Sequence, residues 1–78
     1  MRQRILRTIM TFPTTTDAMA AERLFQKAGL EGRLIPVPGF IRAGCGLAWS
    51  APAGMGQKLC EAAREHGTAY EECQEALL

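Results

Sequence analysis

The sequence predicts an α+β fold of β-α-β-β-α-β order, with two helices covering one face of a four-stranded antiparallel sheet. Three observations carry this expectation. Two amphipathic stretches, 17–28 and 55–66, place apolar residues at helical spacing and each ends at a glycine. Short runs rich in β-branched and apolar residues flank both stretches. One of those runs, Arg33-Leu-Ile-Pro-Val-Pro38, holds two prolines that cannot donate to a ladder, so it belongs on a sheet edge. The ferredoxin-like split βαβ arrangement, with sheet order 4-1-3-2, puts the second strand on that edge.

The elements follow in order. Ile5-Leu-Arg-Thr-Ile-Met-Thr-Phe12 reads as a strand and stops at Pro13. Thr14-Thr-Thr-Asp17 offers several N-cap oxygens for the free N–H groups of a helix start. From Asp17 to Ala28, Ala18, Ala21, Leu24, Phe25 and Ala28 share one face, Glu22, Arg23, Gln26 and Lys27 take the other, and Gly29 caps the end. Gly32–Val37 is a second strand and Gly46–Ser50 a third, before Ala51-Pro-Ala-Gly54 breaks the chain. Met55, Leu59, Ala62, Ala63 and His66 mark a second helix, which Gly67 ends. Thr68-Ala-Tyr-Glu-Glu72 is a weaker fourth strand, and 73–78 is a short helical turn or a frayed tail. With 78 residues the chain is expected to form one domain, its core spanning about 5–72.

Composition narrows the function classes. The chain is 47% apolar and 22% charged with a net charge of +1, which lacks the clustered basic excess of a nucleic-acid surface. Arg2, Arg4 and Arg7 read as the solvated start of a strand. Three cysteines, Cys45, Cys60 and Cys73, form an odd set without a C-x-x-C pair, unlike a disulfide framework. No apolar run reaches the ~18 residues of a membrane span, and Arg7 and Thr8 interrupt the N-terminal one. The cytosol, with reduced thiols, is the expected location.

The topology draws the chemistry to one end of the sheet. The loop joining strands two and three should lie where strand one ends and helix one begins, so Cys45 approaches Phe12-Pro-Thr-Thr-Thr16. A helix start presents unpaired N–H groups and positive potential, which favour the reactive thiolate. The hydroxyls of Thr14, Thr15 and Thr16 are positioned to donate to the sulfur or to an anion beside it. Gly44 and Gly46 free the backbone around Cys45 and leave the sulfur approachable. Two readings of Cys45 stand: a functional thiol, or a small residue filling a tight hairpin.

The remaining candidates read as structural. Cys60 is expected to be a small half-buried hydrophobe in helix two, and Cys73 a tail cysteine at the far end of the sheet from Cys45. His66 should pack or cap at a helix C-terminus. A zinc site from Cys45, Cys60, His66 and Cys73 lacks the close ligand pairs such sites use, so no metal is expected. Trp49 is expected to pack, the alternative being an exposed platform with Phe40. Glu61, Glu65, Glu71, Glu72 and Glu75 suit a solvated face.

Three segments together carry a family resemblance: Thr11-Phe-Pro-Thr-Thr-Thr-Asp-Ala-Met-Ala-Ala-Glu22, Arg33-Leu-Ile-Pro-Val-Pro38 and Cys45-Gly-Leu-Ala48. In that order they resemble the DUF3343 family, selenium/sulfur carrier-like domains, over roughly residues 8–72. The resemblance places the family's characteristic cysteine on Cys45, its hydroxyl-rich F-P loop on Phe12–Thr16 and its proline-flanked strand on Leu34–Pro38. One departure is that Ala43 and Gly44 stand where members often have small hydroxyl residues, which removes possible support for a bound chalcogen.

The resemblance implies a small carrier rather than an enzyme. Cys45 would hold sulfur or selenium as a persulfide or selenenyl-sulfide, with no other cofactor, and exchange it with donor and acceptor proteins. Thr14–Thr16 would stabilise the charged sulfur and Arg42 would add positive potential. A second reading is a binding or regulatory module that docks a partner through the hairpin face of Phe40, Ile41 and Trp49, with Cys45 structural. A third is a redox sensor forming mixed disulfides through Cys45. The exposed second edge strand would also permit a sheet-extending dimer, which nothing in the chain requires.

Overall fold

Backbone pairing sets the frame in which each side chain is placed. The computed structural model describes residues 4–42 and 44–78; Arg2 of the early arginine group and Ala43 before the cysteine lie outside the described residues. The elements are β1 (Leu6–Thr11), α1 (Thr15–Lys27), β2 (Arg33–Pro36), β3 (Leu47–Pro52), α2 (Gly56–Glu65) and β4 (Cys73–Leu77). The four strands form one sheet in the order β2-β3-β1-β4, which is 4-1-3-2 read from the other edge. All three pairings are antiparallel, with Met10 opposite Trp49 on one side and Cys73 on the other. The proline-bearing β2 is an edge strand, as its missing donors require.

Alternation along the strands divides the core into two layers. On the face toward the helices, Met10, Phe12, Trp49 and Ala51 pack with Ala18, Ala21 and Phe25 of α1 and Leu59 of α2. The Phe25 and Trp49 rings lie 5.2 Å apart at a tilt of 57°, within the favourable range for aromatic pairs. The opposite face has no helix over it. There Ile9 and Ala48 are covered by Ile41 from the β2–β3 loop, flanked by Ile35, Val37, Ala76 and Leu78. No helix among the described residues is long and apolar enough to cross a membrane.

Several boundaries differ from the expectation. α1 begins earlier than Asp17, because Thr14 takes the N-cap and its hydroxyl accepts the Asp17 N–H at 3.1 Å. β3 runs on through Ala51 to Pro52 instead of breaking there. The last pairing with β2 is Arg33 with Ser50, so Pro52 has a strand neighbour on one side only. His66 is the exposed C-cap of α2 and not part of its buried stripe, which is Leu59 and Ala63.

The fourth strand is the largest correction. It spans Cys73–Leu77, not Thr68–Glu72, so 73–78 is not a helical turn or a frayed tail. Thr68 still belongs to the end of α2, its N–H donating to the Ala63 carbonyl at 2.9 Å. Only Glu71 and Glu72 reach β1, through Thr11, and regular pairing begins at Cys73 opposite Met10. Cys73 therefore lies on the half of β1 that leads toward Phe12 and not at the sheet's far end.

Candidate functional site

The loop from Val37 to Gly46 is built by short-range turns and two distant clamps. Pro38 opens a turn closed by the Ile41 N–H on the Pro38 carbonyl at 2.9 Å. This drives Ile41, only 8% exposed, onto Ile9 and Ala48, while Phe40 at the turn is 69% exposed. After the turn, Gly44 is held from two directions. Its N–H donates to the Glu71 carboxylate at 2.9 Å, and a Cβ at this position would lie 2.8 Å from the Pro13 carbonyl oxygen. Only glycine permits that approach without displacing backbone. Gly46 then adopts φ +78°, a left-handed conformation, and its carbonyl accepts the Val37 N–H at 2.9 Å.

Cys45 is half-buried between these two glycines. The Leu47 N–H is directed at its sulfur at 3.4 Å, and the Leu47 carbonyl lies 3.5 Å from the same atom. A protonated thiol donates to that carbonyl; a charged sulfur accepts the N–H. Both states of the sulfur thus have a backbone partner in one residue. The side chain packs toward the helix-side core, whereas Gly44 and Gly46 line an open groove of about 700 Å³ on the other side of the loop. Val37, Ile41, Arg42 and Glu71 complete its walls.

The structure brings the loop against Pro13, at the entry to α1. The hydroxyl-rich start of that helix is partly committed elsewhere. Thr14 donates its hydroxyl proton to the Asp17 carboxylate at 2.7 Å, and Asp17 places a negative charge in the first turn. Thr15 and Thr16 are exposed, as is Arg42. Trp49 is fully buried, so of the hairpin trio Phe40, Ile41 and Trp49 only Phe40 is presented to a partner.

Two features escaped sequence reasoning. Glu71 fastens the Cys45 loop to the sheet, because its own N–H donates to the Thr11 carbonyl at 2.7 Å while its carboxylate holds Gly44. Glu75 likewise accepts the Gly54 N–H at 2.5 Å and sits 3.2 Å from the Thr8 hydroxyl, so these two glutamates are not simply solvated. Neither contact has a signature in residue spacing.

The second feature is a half-buried group away from the loop. Cys60 on α2 neighbours Cys73 and Tyr70. Burial pushes the Cys73 thiol up to about 12, with neighbouring Cys60 and Glu75 adding to the effect. The Tyr70 hydroxyl is raised chiefly by its hydrogen bond with Cys60, then by burial, against an opposing pull from Arg64. Among the described residues no group of three or more His, Cys, Asp or Glu is arranged to hold a metal.

No curated protein and no solved structure matches the chain. A family model described as "Putative Se/S carrier protein-like" matches residues 7–75, nearly the whole sequence, and the chain belongs to that family.

Proposed function

We propose that this family member is a chalcogen carrier in which Cys45 holds one sulfur or selenium atom and delivers it to an acceptor protein. The observation that carries the proposal is the Leu47 N–H directed at the sulfur of Cys45, a free and only half-buried thiol. In loading, the Cys45 thiolate attacks the outer sulfur of a donor persulfide. The donor's S–S bond breaks, its thiolate departs, and Cys45 keeps the transferred atom as a persulfide. Delivery repeats the exchange with an acceptor thiolate, so no net oxidation occurs in either step. A selenium atom would be carried analogously.

The backbone donor serves a negatively charged sulfur without a titrating side chain. Arg42, exposed in the same loop, supplies a cation, and Thr15 and Thr16 offer exposed hydroxyls at the start of α1. Thr14 contributes by capping that helix, which fixes the Pro13 segment against which Gly44 rests. The frame is read as ferredoxin-like, the compartment as the reducing cytosol, and the protein as a carrier without its own turnover. Docking through the hairpin face finds less support, since two of its three side chains are buried.

The test is loading followed by site-resolved mass spectrometry. Protein incubated with a low-molecular-weight persulfide should gain one sulfur, located on Cys45. Cys45→Ser should abolish that gain and Cys60→Ser should not. Loading found on Cys60 or Cys73 with Cys45 unmodified would remove the carrier reading.

A further inference from the structure

We propose that Cys60 and Cys73, with Tyr70, form a second thiol site, separate from Cys45, that closes reversibly to a disulfide when a hydroperoxide oxidises it. The geometry comes from α2 lying over β4. The Cys73 sulfur lies 4.0 Å from the Gly56 carbonyl oxygen and would be 3.4 Å from a Cβ on Gly56. Cys60 is one helical turn beyond Gly56 on the same face of α2, and its side chain reaches both Cys73 and Tyr70. Both cysteines pack against the helix-side core and both are free and only half-buried. Two half-buried thiols are therefore neighbours across a helix–strand contact.

The surroundings assign different parts to the two sulfurs. Neighbouring Cys60 holds the Tyr70 hydroxyl, and burial holds the Cys73 thiol, toward the protonated form. Cys60 is the attacking atom. Its sulfur displaces one oxygen of hydrogen peroxide; the O–O bond breaks, one water leaves, and Cys60 becomes a sulfenic acid. The Cys73 sulfur then attacks Cys60, the S–O bond breaks, and the Cys73 proton leaves with the departing oxygen as the second water. Two thiols lose two electrons, the peroxide gains them, and the product is the Cys60–Cys73 disulfide. The bridge would tie α2 to the sheet's β4 edge and leave Cys45 untouched.

Digestion after lysine and arginine separates the three thiols, since Arg42, Lys58 and Arg64 put Cys45, Cys60 and Cys73 on different peptides. The full chain would be treated with limiting hydrogen peroxide, quenched with an alkylating reagent and mapped without reduction. The expected product joins Leu59–Arg64 to Glu65–Leu78, disappears on adding dithiothreitol, and leaves Cys45 unbridged. In Cys73→Ser the same treatment should leave Cys60 as a sulfenic acid that dimedone traps. Recovery of Cys60 and Cys73 as free thiols while Cys45 is oxidised would overturn the proposal. So would bridging mainly through Cys45, or a Cys73→Ser protein whose Cys60 dimedone does not label. None of these outcomes depends on whether Cys45 carries a chalcogen.

Discussion

The Cys45 loop and the Cys60–Cys73 group place thiols at similar depth but in different chemical company. Around Cys45 the partners of the sulfur are backbone groups, the Leu47 N–H and carbonyl, and the supporting neighbours are glycines. Around Cys60 and Cys73 the neighbours include side chains that titrate, beside the Gly56 carbonyl. Backbone donors cannot change their protonation, so the first environment is fixed by conformation alone. The second depends on which groups hold protons. Exchange of a charged sulfur atom suits the first arrangement, and response to oxidant or pH suits the second.

The largest expected effect tests the conformational half of this contrast. Gly44→Ala drives a Cβ to 2.8 Å from the Pro13 carbonyl oxygen, a backbone atom that cannot rotate away. The loop or the Pro13 segment must move, at about 1–3 kcal/mol of stability by the usual cost of overpacking. Urea unfolding should show that loss, and alkylation of Cys45 should change its rate while that of Cys60 does not. Equal changes at both cysteines would mean that the two regions are not independent.

Next in size is a pH effect confined to the second region. The Cys73 thiol is raised from an ordinary 9.0 to about 12, so the folded state holds this proton more tightly than the unfolded state. Stability from this source is fully present below pH 9 and is lost as pH rises from 9 through 12. The full displacement corresponds to about 4 kcal/mol; because the thiol is half-exposed, solvent screening reduces this to roughly 1–2 kcal/mol. Cys60, Tyr70, Glu75 and Arg64 share the cluster, so the comparison is between wild type and Cys73→Ala. The variant should show a shallower decline in stability over that range, and identical slopes would contradict the assignment.

Removing a helix cap is expected to cost less. Thr14→Ala loses both the acceptor for the Asp17 N–H and the donor to its carboxylate. A cost of about 1 kcal/mol is usual for such a cap. Thermal unfolding should show it, and Thr14→Ser should recover most of the loss. A larger loss with slowed Cys45 loading would mean that the cap also holds the Pro13 segment in place.

What could be read from the sequence follows from how local each signal is. Thr14, the apolar face of α1 and Gly29 lie within one short stretch, and α1 appears within two residues of its expected start. Pro36 places β2 on an edge because a missing donor has the same meaning in any context. Topology then brings the Cys45 loop, through Gly44, against Pro13. β4 is not legible locally because Cys73-Gln-Glu-Ala-Leu77 is poor in β-branched residues, and pairing with β1 overrides that local preference. The same override hides the meeting of Cys73 with Cys60, and the link from Glu71 to Gly44 spans 27 residues with no local mark.

That long-range link gives the smallest and most selective effect. Glu71→Ala removes the acceptor of the Gly44 N–H, an exposed contact whose loss should cost under about 1 kcal/mol. The Glu71 backbone remains paired with Thr11, so the sheet end should persist. Freed from this clamp, Gly44 keeps only its packing against Pro13, and its amide should exchange with solvent faster than in wild type. Cys45 alkylation should accelerate with it, because motion of Gly44 exposes the half-buried sulfur. Oxidative bridging of Cys60 to Cys73 should keep its wild-type rate, since no hydrogen bond of Glu71 leads to either thiol. If Gly44 exchange and Cys45 alkylation both stay unchanged, the loop is held by Pro13 and Gly46 alone. If bridging slows as well, the segment from Tyr70 to Cys73 transmits motion from the loop to the second thiol site, and the two environments are mechanically joined despite their different chemistry.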